Sequence, residues 1–510
     1  MIKKGLMVNT FISTIGSVTT RLVGMCTMIY ISNQIGAEGI GLYQLSITVY
    51  MMAYMVASAG IITSISKIIA EEISQGWFLR ARQVMHIFLA FGFIISLIIT
   101  SLIYINAQSI SILIVKDTRI VEGLKILSLS IPFMTISACF KGYFYGIKDI
   151  IKPASAEVLE QIVKFGLTII LLSLFGTNDL TMACMGMSLA ITLGEILSFT
   201  YLALLYLSNR ITAKKNKSNN KPQGSLIYKI CNVLFPITAS SYLTAVFVLL
   251  ENTLIPKGLQ DYGLTIGESV SIYGMLKGMV FPLLLFPTAL LSACSTILTP
   301  EIAKAHALKY KGRIESLTSR VLHLTLVIAF FIVIIFTLYG NDLGISVYDN
   351  AQVGTLLQIM VCMSPFMYVE IVIDGILKGL GEQKKCLEYR IIDAVFRIIM
   401  MYILIPKIGL NGLLATLLLS NIISSIFHIN RLIEITKIKI DLTKWLFHPI
   451  LCAVAAGLVT KSFLSDMLFI GMNLRVNLSF SILFASLFYL AALIALENIT
   501  AEELSLRKGN

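Results

Sequence analysis

The feature that most constrains this chain is a series of fourteen apolar stretches separated by short polar loops. They fall near 6–31, 42–66, 84–105, 120–142, 154–175, 181–207, 228–254, 268–298, 316–339, 354–377, 388–405, 411–430, 445–464 and 475–496. A hydrocarbon core of about 30 Å takes about 20 apolar residues in helical form. The fold class expected is therefore all-α, a polytopic membrane protein of about 14 transmembrane helices. Bulk composition agrees: with 57% hydrophobic residues, 13% charged residues and a mean hydropathy of +0.86, 510 residues are too apolar for a soluble protein.

Inside these stretches lies a repeat. Glu160 and Lys164 sit four residues apart in the fifth stretch, and Asp393 and Arg397 repeat them 233 residues later in the eleventh. Gly142, Gly146 and Gly176 fall on Gly375, Gly379 and Gly409 at the same offset. A spacing of four puts each acid and base on one helix face, where they partly neutralise each other. Ionisable groups at bilayer depth still cost roughly 2.5–3.5 kcal/mol each on insertion scales, and they face cavities or pathways rather than lipid. The one linker rich in Lys, Asn, Pro and Gly, 208–227, divides an N-lobe of six helices (1–207) from a C-lobe of six (228–431), and 432–510 adds two helices and a tail. Two such lobes, as parallel repeats, would enclose a central cavity.

Loops on the side of the N-terminus hold about 27 of the 40 Lys and Arg residues, and the opposite loops about five: Lys116, Arg119, Lys257, Lys407 and Arg475. By the positive-inside rule both termini are expected to be cytoplasmic. The net charge of +12 is then topological, and without a basic patch interleaved with aromatics no nucleic acid partner is indicated. Residues 6–31 read as a first membrane helix rather than a signal peptide, being long, polar-striped and without a small-residue cleavage site. The eight cysteines include no CxxC, so neither a disulfide frame nor a zinc site is indicated, and no cofactor is called for. The polar connectors at 67–83 and 299–315 read as short amphipathic segments at the interface.

Asn9, Ser13, Ser17 and Arg21 recur every four residues and form one polar stripe on the first helix. Lys164 lies about 15 Å along its helix, and Arg397 at similar depth. The set expected to bind substrate is Arg21, Lys164, Arg397, Asn9, Ser13, Ser17 and Lys277. Glu160, Asp393 and Glu251 are expected to serve as counter-charges or coupling-cation sites, and no metal-binding or catalytic residue is assigned. Glu195, Glu370 and Asp374 are further acids within helices, the last two near a helix end where solvation is expected; Pro236, Pro282, Pro287 and Pro365 can kink helices. His86, His323, His428 and His448 lie near helix ends, which favours interfacial roles. Cations in a membrane cavity suit an anionic headgroup: Arg and Lys bind phosphates while Asn, Ser and acids meet sugar hydroxyls.

The segments GAEGIGLYQL at 36–45, ISKIIAEE at 65–72, GYFYGIKD at 142–149, YGMLKGMVFPLLLFPTAL at 273–290, LTPEIAKA at 298–305 and GILKGLGEQKK at 375–385 resemble the multidrug/oligosaccharidyl-lipid/polysaccharide flippase superfamily. The resemblance is to its polysaccharide-export branch and covers nearly the whole chain. It implies a two-lobed transporter that alternates between inward-open and outward-open forms and moves an undecaprenyl-pyrophosphate-linked sugar, such as a lipid II-like peptidoglycan precursor for spore cortex synthesis. It also implies that Arg21 matches the first-helix arginine of the lipid II flippases, whereas their second basic residue, six positions on, falls here on Thr27. The partners implied are the lipid-linked sugar, membrane lipids and a coupling cation.

Two other readings compete. A cation-coupled multidrug exporter of the same superfamily would favour cavity acids over bases, against Arg21, Lys164 and Arg397. A membrane glycosyltransferase or polymerase would need a catalytic acid in a sizeable outer loop, and the longest, near 106–119 and 340–353, span about 14 residues; the chain is therefore not expected to be an enzyme.

Overall fold

The structure is a computed structural model. It describes residues 2–112, 116–176, 179–209, 225–438, 441–462 and 473–496, without the side chains of 2–14, 209, 293 and 297. The linker expected at 208–227 lies outside the described residues apart from its ends. Among the described residues every regular element is helical. Packing groups them into two units, Met1–Gly278 and Met279–Asn510.

The first unit holds α1 (Ile2–Ser58), α2 (Ile61–Ser74), α3 (Phe78–Ile110), α4 (Val121–Ser128), α5 (Ile131–Gly146), α6 (Ile151–Phe175), α7 (Leu180–Asn209), α8 (Leu226–Asp261) and α9 (Ile266–Gly274). Its longest helix, α1, breaks at Gly36, whose φ of 69° is open to glycine and costly for other residues. Its second limb then meets α9 so closely that a Cβ on Gly41 or Gly274 would strike the facing backbone, at the Val270 carbonyl and at Ala37–Gly41 respectively. Thus GAEGIGLYQL, the segment that carries the family resemblance, is in physical terms a kink followed by a contact between helix backbones. The core is built on α2, whose Ile61, Ile65, Ile68 and Ile69 pack against Val84, Met85 and Phe88 of α3 and Ala138, Cys139 and Phe144 of α5. The amphipathic character expected for part of this segment is real, but its apolar face is buried in protein, together with Glu72.

The second unit holds α10 (Phe281–Leu285), α11 (Thr288–Ala307), α12 (Lys311–Tyr348), α13 (Ala351–Met360), α14 (Ser364–Gly379), α15 (Gln383–Thr436), α16 (His448–Val459) and α17 (Leu474–Ala495). Here α11 and α14 form the core, with Leu298, Ile302, Tyr368, Val372 and Ile376 buried. A break at Ile408 and Gly409 divides α15 into two limbs. The last two helices pack on α12, where the Tyr489 hydroxyl donates to the Val327 carbonyl at 2.9 Å.

The offset of 233 governs backbone as well as sequence. The bounds of α5 and α14 differ by that number at both ends. Left-handed residues pair likewise: Gly76 with Lys309, Lys116 with Asp349, Lys148 with Gly381, and Gly176 with Gly409. So do the side-chain caps Asp117 and Asn350. Pro132 opens α5 and Pro365 opens α14, and α4 meets α5 at a bend of 45°. Gly142 and Gly146 face Ile62, Ser66 and Ile69 of α2, while Gly375 and Gly379 face Ser295, Thr299 and Ile302 of α11, again 233 apart. Of the other helix prolines, Pro236 lies inside a continuous α8.

Among the described residues ten helices are long and apolar enough to cross a membrane, or eleven if the bent α4–α5 pair counts as one span. The kinked α1 supplies two crossings, and α15 adds one on each side of its break, which matches the expected count of about fourteen. Exposed Ile94, Ile98, Leu102 and Ile105 form an apolar face on α3 that would be a liability in water and is ordinary against lipid. The chain is a multi-pass membrane protein.

Candidate functional site

Each unit holds a polar cluster inside its helix bundle. In the first, Lys164 Nζ lies 2.8 Å from Glu160 Oε1 on its own helix and 2.7 Å from Glu195 Oε1 on α7. The three side chains are 15%, 11% and 2% exposed. The α6–α7 approach that permits this depends on Gly194, where a Cβ would come within 2.5 Å of the Lys164 stem. Two acids thus share one base. Tyr43 and Tyr50, seven apart on the second limb of α1, lie within electrostatic reach of Lys164, and the Tyr50 hydroxyl accepts a 2.8 Å hydrogen bond from Ser130. Nearer one end of the bundle, Lys141 of α5 pairs with Glu157 of α6 at 3.3 Å.

In the second unit Arg397 pairs with Asp393, one turn away on α15, and Ser420 of the returning limb donates to the same carboxylate. Ser424, one turn beyond, donates to Glu370 of α14 at 2.8 Å, and Glu370 interacts electrostatically with Asp393, Arg397 and His428. Asp374 accepts from Lys378 at 2.6 Å and from Arg390 at 2.8 Å. Glu370 and Asp374 are thus mostly enclosed rather than solvated, and His428 is fully buried rather than interfacial. The helix-end positions of Glu370 and Asp374 suggested water because the α15 residues that cover them, Ser424 and Arg390, are distant in sequence.

The remaining expected site residues divide between α1 and the α8–α9 region. Ser17 and Arg21 are exposed on the first limb of α1, which packs on α6 through Gly16, facing Ala154 and Val158, and Gly24, facing Gln161. Arg21 is therefore level with the turn of α6 that carries Glu160. The side chains of Asn9 and Ser13 lie outside the described residues. Lys277 Nζ is 3.7 Å from Glu251 Oε1 of α8 and occupies a wide helical turn, Met275–Val280. Glu160 with Lys164, Asp393 with Arg397, and Glu251 with Lys277 are each brought together. Glu195 and the two tyrosines of α1 complete the first cluster from other helices, which spacing within one helix does not reveal.

Residues 6–306 match the family described as polysaccharide biosynthesis protein, and the chain belongs to that family. The superfamily resemblance carried by its glycine-rich segments holds. In particular, the chain is similar to stage V sporulation protein B of Bacillus subtilis (strain 168), 22% identical over 508 residues that make up 99% of this chain and 98% of that protein. It is also similar to the lipid II flippase MurJ of the same organism, 22% identical over 434 residues, 80% of this chain and 79% of MurJ. Among solved structures, a lipid II flippase MurJ in an inward closed conformation shares the fold with a TM-score of 0.66 at 14% identity, covering 96% of this chain and 99% of that one. A multidrug resistance MATE family transporter of the MOP superfamily, inward-facing, does so with a TM-score of 0.65 at 16% identity, covering 82% and 95%.

Proposed function

We propose that the chain is a flippase that moves an undecaprenyl-pyrophosphate-linked sugar, a lipid II-like peptidoglycan precursor, across the cytoplasmic membrane by alternating access, in the service of spore cortex synthesis. Full-length similarity to a sporulation protein and to a lipid II flippase supports this reading. The observation that carries it is that both copies of the duplication keep a base, Lys164 and Arg397, one turn from an acid inside the bundle. No packing need explains such groups, because replacing a buried ion pair by apolar residues is often neutral or stabilising.

In this reading Arg21 takes the pyrophosphate, helped by the polar stripe of Asn9, Ser13 and Ser17, with Lys164, Arg397 and Lys277 as further cations. Glu160, Asp393 and Glu251 are their counter-charges, and the lipid tail stays in the bilayer among membrane lipids. Both termini are cytoplasmic, as the Lys and Arg distribution implies. The test is transport of a labelled polyprenyl-pyrophosphate sugar by the purified chain in liposomes. Arg21→Ala should abolish it at unchanged membrane abundance, and Arg21→Lys should recover only part because the bidentate fork is lost. Wild-type transport by the alanine variant would remove Arg21 from the site.

One observation favours a second reading. Glu160 and Glu195 share Lys164, and Arg397 pairs with Asp393 within electrostatic reach of Glu370, so two acids lie about each of these bases. A second carboxylate suits a coupling cation, as a cation-coupled exporter of the superfamily would need. Export of a cationic drug, driven by an ion gradient, from liposomes that fail to move the lipid-linked sugar would establish it.

A further inference from the structure

Where α14 turns into α15, at the end of the second unit marked by Gly381, three side chains converge: Asp374 from α14, Cys386 from the first limb of α15, and His428 from its second limb. Their candidate ligand atoms all lie within 4.8 Å of one another. Cys386 is 1% exposed and His428 is 0% exposed. Two of these side chains carry a buried atom without a geometric hydrogen-bond partner, His428 Nε2 and Asp374 Oδ1. Leaving a buried polar atom unsatisfied costs about 1–3 kcal/mol, and both side chains lie beside the Cys386 thiol, which also interacts with Asp374.

The surrounding contacts orient this set. His428 Nδ1 lies 2.8 Å from the Ser424 carbonyl oxygen. A carbonyl only accepts, so Nδ1 carries a proton, and in the neutral ring Nε2 then presents its lone pair, the arrangement typical of a metal-ligating histidine. The other carboxylate oxygen, Asp374 Oδ2, is held by Lys378 and Arg390, which leaves Oδ1 directed inward. The edge of the His428 ring is fixed against Tyr389, with centroids 5.4 Å apart.

We propose that Asp374, Cys386 and His428 form a binding site for one divalent transition-metal ion of borderline softness, such as zinc, with a fourth position open to water. A thiolate, an imidazole and a carboxylate are the donors that zinc takes. The edges of a tetrahedral zinc shell measure about 3.3–3.8 Å, so side-chain adjustments of about 1 Å close the set. On binding, the Cys386 proton is released to solvent and the thiolate with the Asp374 carboxylate balances the dication. The site belongs to the second copy alone, because the positions 233 earlier are Lys141, Pro153 and Glu195, which cannot assemble it. Ser424 links it to the transport cluster: its carbonyl holds His428 and its hydroxyl donates to Glu370.

Cobalt(II) titration of the purified full-length chain in detergent tests the proposal. One equivalent per chain should bind, with visible d–d bands and near-ultraviolet thiolate-to-cobalt charge transfer. The signal should survive when the other seven cysteines are replaced by serine and disappear in Cys386→Ser. His428→Gln and Asp374→Asn should weaken affinity by at least the roughly 10–100-fold that loss of an outer-shell partner costs. Should either variant not fold, X-ray absorption at the zinc edge of the loaded wild-type chain decides, with one sulfur at about 2.3 Å expected. Failure of the wild-type chain to bind at micromolar metal, charge transfer that persists in Cys386→Ser, or a zinc shell without sulfur would each overturn it.

Discussion

The two bundles are copies in backbone and differ in how they hold charge. In the first, Lys164 is gripped by carboxylates from two helices, Glu160 and Glu195. In the second, Arg397 pairs with its local acid, Asp393, and Ser420 donates a hydrogen bond to that acid in place of a second charged contact. The position equivalent to Glu195 is His428, and the nearby carboxylate comes instead from Glu370, whose counterpart is Ser137. The neighbouring ion pair is reversed outright: Lys141 of α5 meets Glu157 of α6, whereas Asp374 of α14 meets Arg390 of α15. Duplication thus kept charge at four paired positions, 160/393, 164/397, 141/374 and 157/390, and reversed its sign at the last two, where both partners changed together. The constraint is pairing within the bilayer, since an unpaired buried charge is the costly state.

The largest effect that separates the copies should come from removing each base. Lys164→Gln leaves two enclosed carboxylates without a cation, and breaking a buried pair in this way costs about 3–5 kcal/mol. Arg397→Gln leaves Asp393 still accepting from Ser420, so its cost should fall to about 1–3 kcal/mol. Thermal unfolding in detergent should therefore show a clearly lower midpoint for Lys164→Gln than for Arg397→Gln. Equal losses would mean that Ser420 does not support Asp393 and that the clusters are energetically alike. Adding Glu160→Gln and Glu195→Gln to Lys164→Gln should restore the midpoint; if transport returns with it, the first cluster is architectural.

Much of the fold could be read before any coordinates. Apolar runs gave the crossings, because backbone in lipid must satisfy itself along a helix. The two ion pairs were legible because both partners lie one turn apart on one helix. Glu195 was visible as an acid in a helix, but its bond to Lys164 joins residues on different helices, and the repeat offers no guide where it places His428. Gly194 was the one local hint, since a missing side chain beside an acid allows close helix approach. The Asp374, Cys386 and His428 cluster was illegible for a related reason: its ligands come from three helix segments, and no short spacing connects them. The break in α1 at Gly36 lay inside the segment that carried the family resemblance, yet glycine content alone does not distinguish a kink from a contact.

A smaller effect should separate the two glycine contacts. A Cβ on Gly379 would meet the Thr299 carbonyl oxygen at 2.7 Å, and backbone cannot turn aside. A Cβ on Gly146 would lie 3.0 Å from the Ile69 Cβ and 3.1 Å from the Ser66 carbonyl oxygen. Overpacking of this kind costs about 1–3 kcal/mol, with Gly379→Ala expected toward the upper end and Gly146→Ala toward the lower. Unfolding midpoints of the two variants, measured side by side, check the order. A reversed order would show that α11 shifts more readily than α2.

The smallest effect tests whether the sign of charge is free. Lys141→Asp alone should destabilise the first unit, because it places a third acid beside Glu157 and Glu160. Adding Glu157→Arg installs the charge order of the second unit and should recover most of the loss, with a coupling energy of about 0.5–1 kcal/mol in a double-mutant cycle. The magnitude is modest because Glu157 is 42% exposed and water screens the pair. The converse exchange, Asp374→Lys with Arg390→Glu, should also keep its coupling while removing a proposed metal ligand. A variant that unfolds like wild type yet no longer binds cobalt would separate the two roles of Asp374. No coupling in either cycle would mean that these pairs are surface contacts, and that the reversal between the copies arose without constraint.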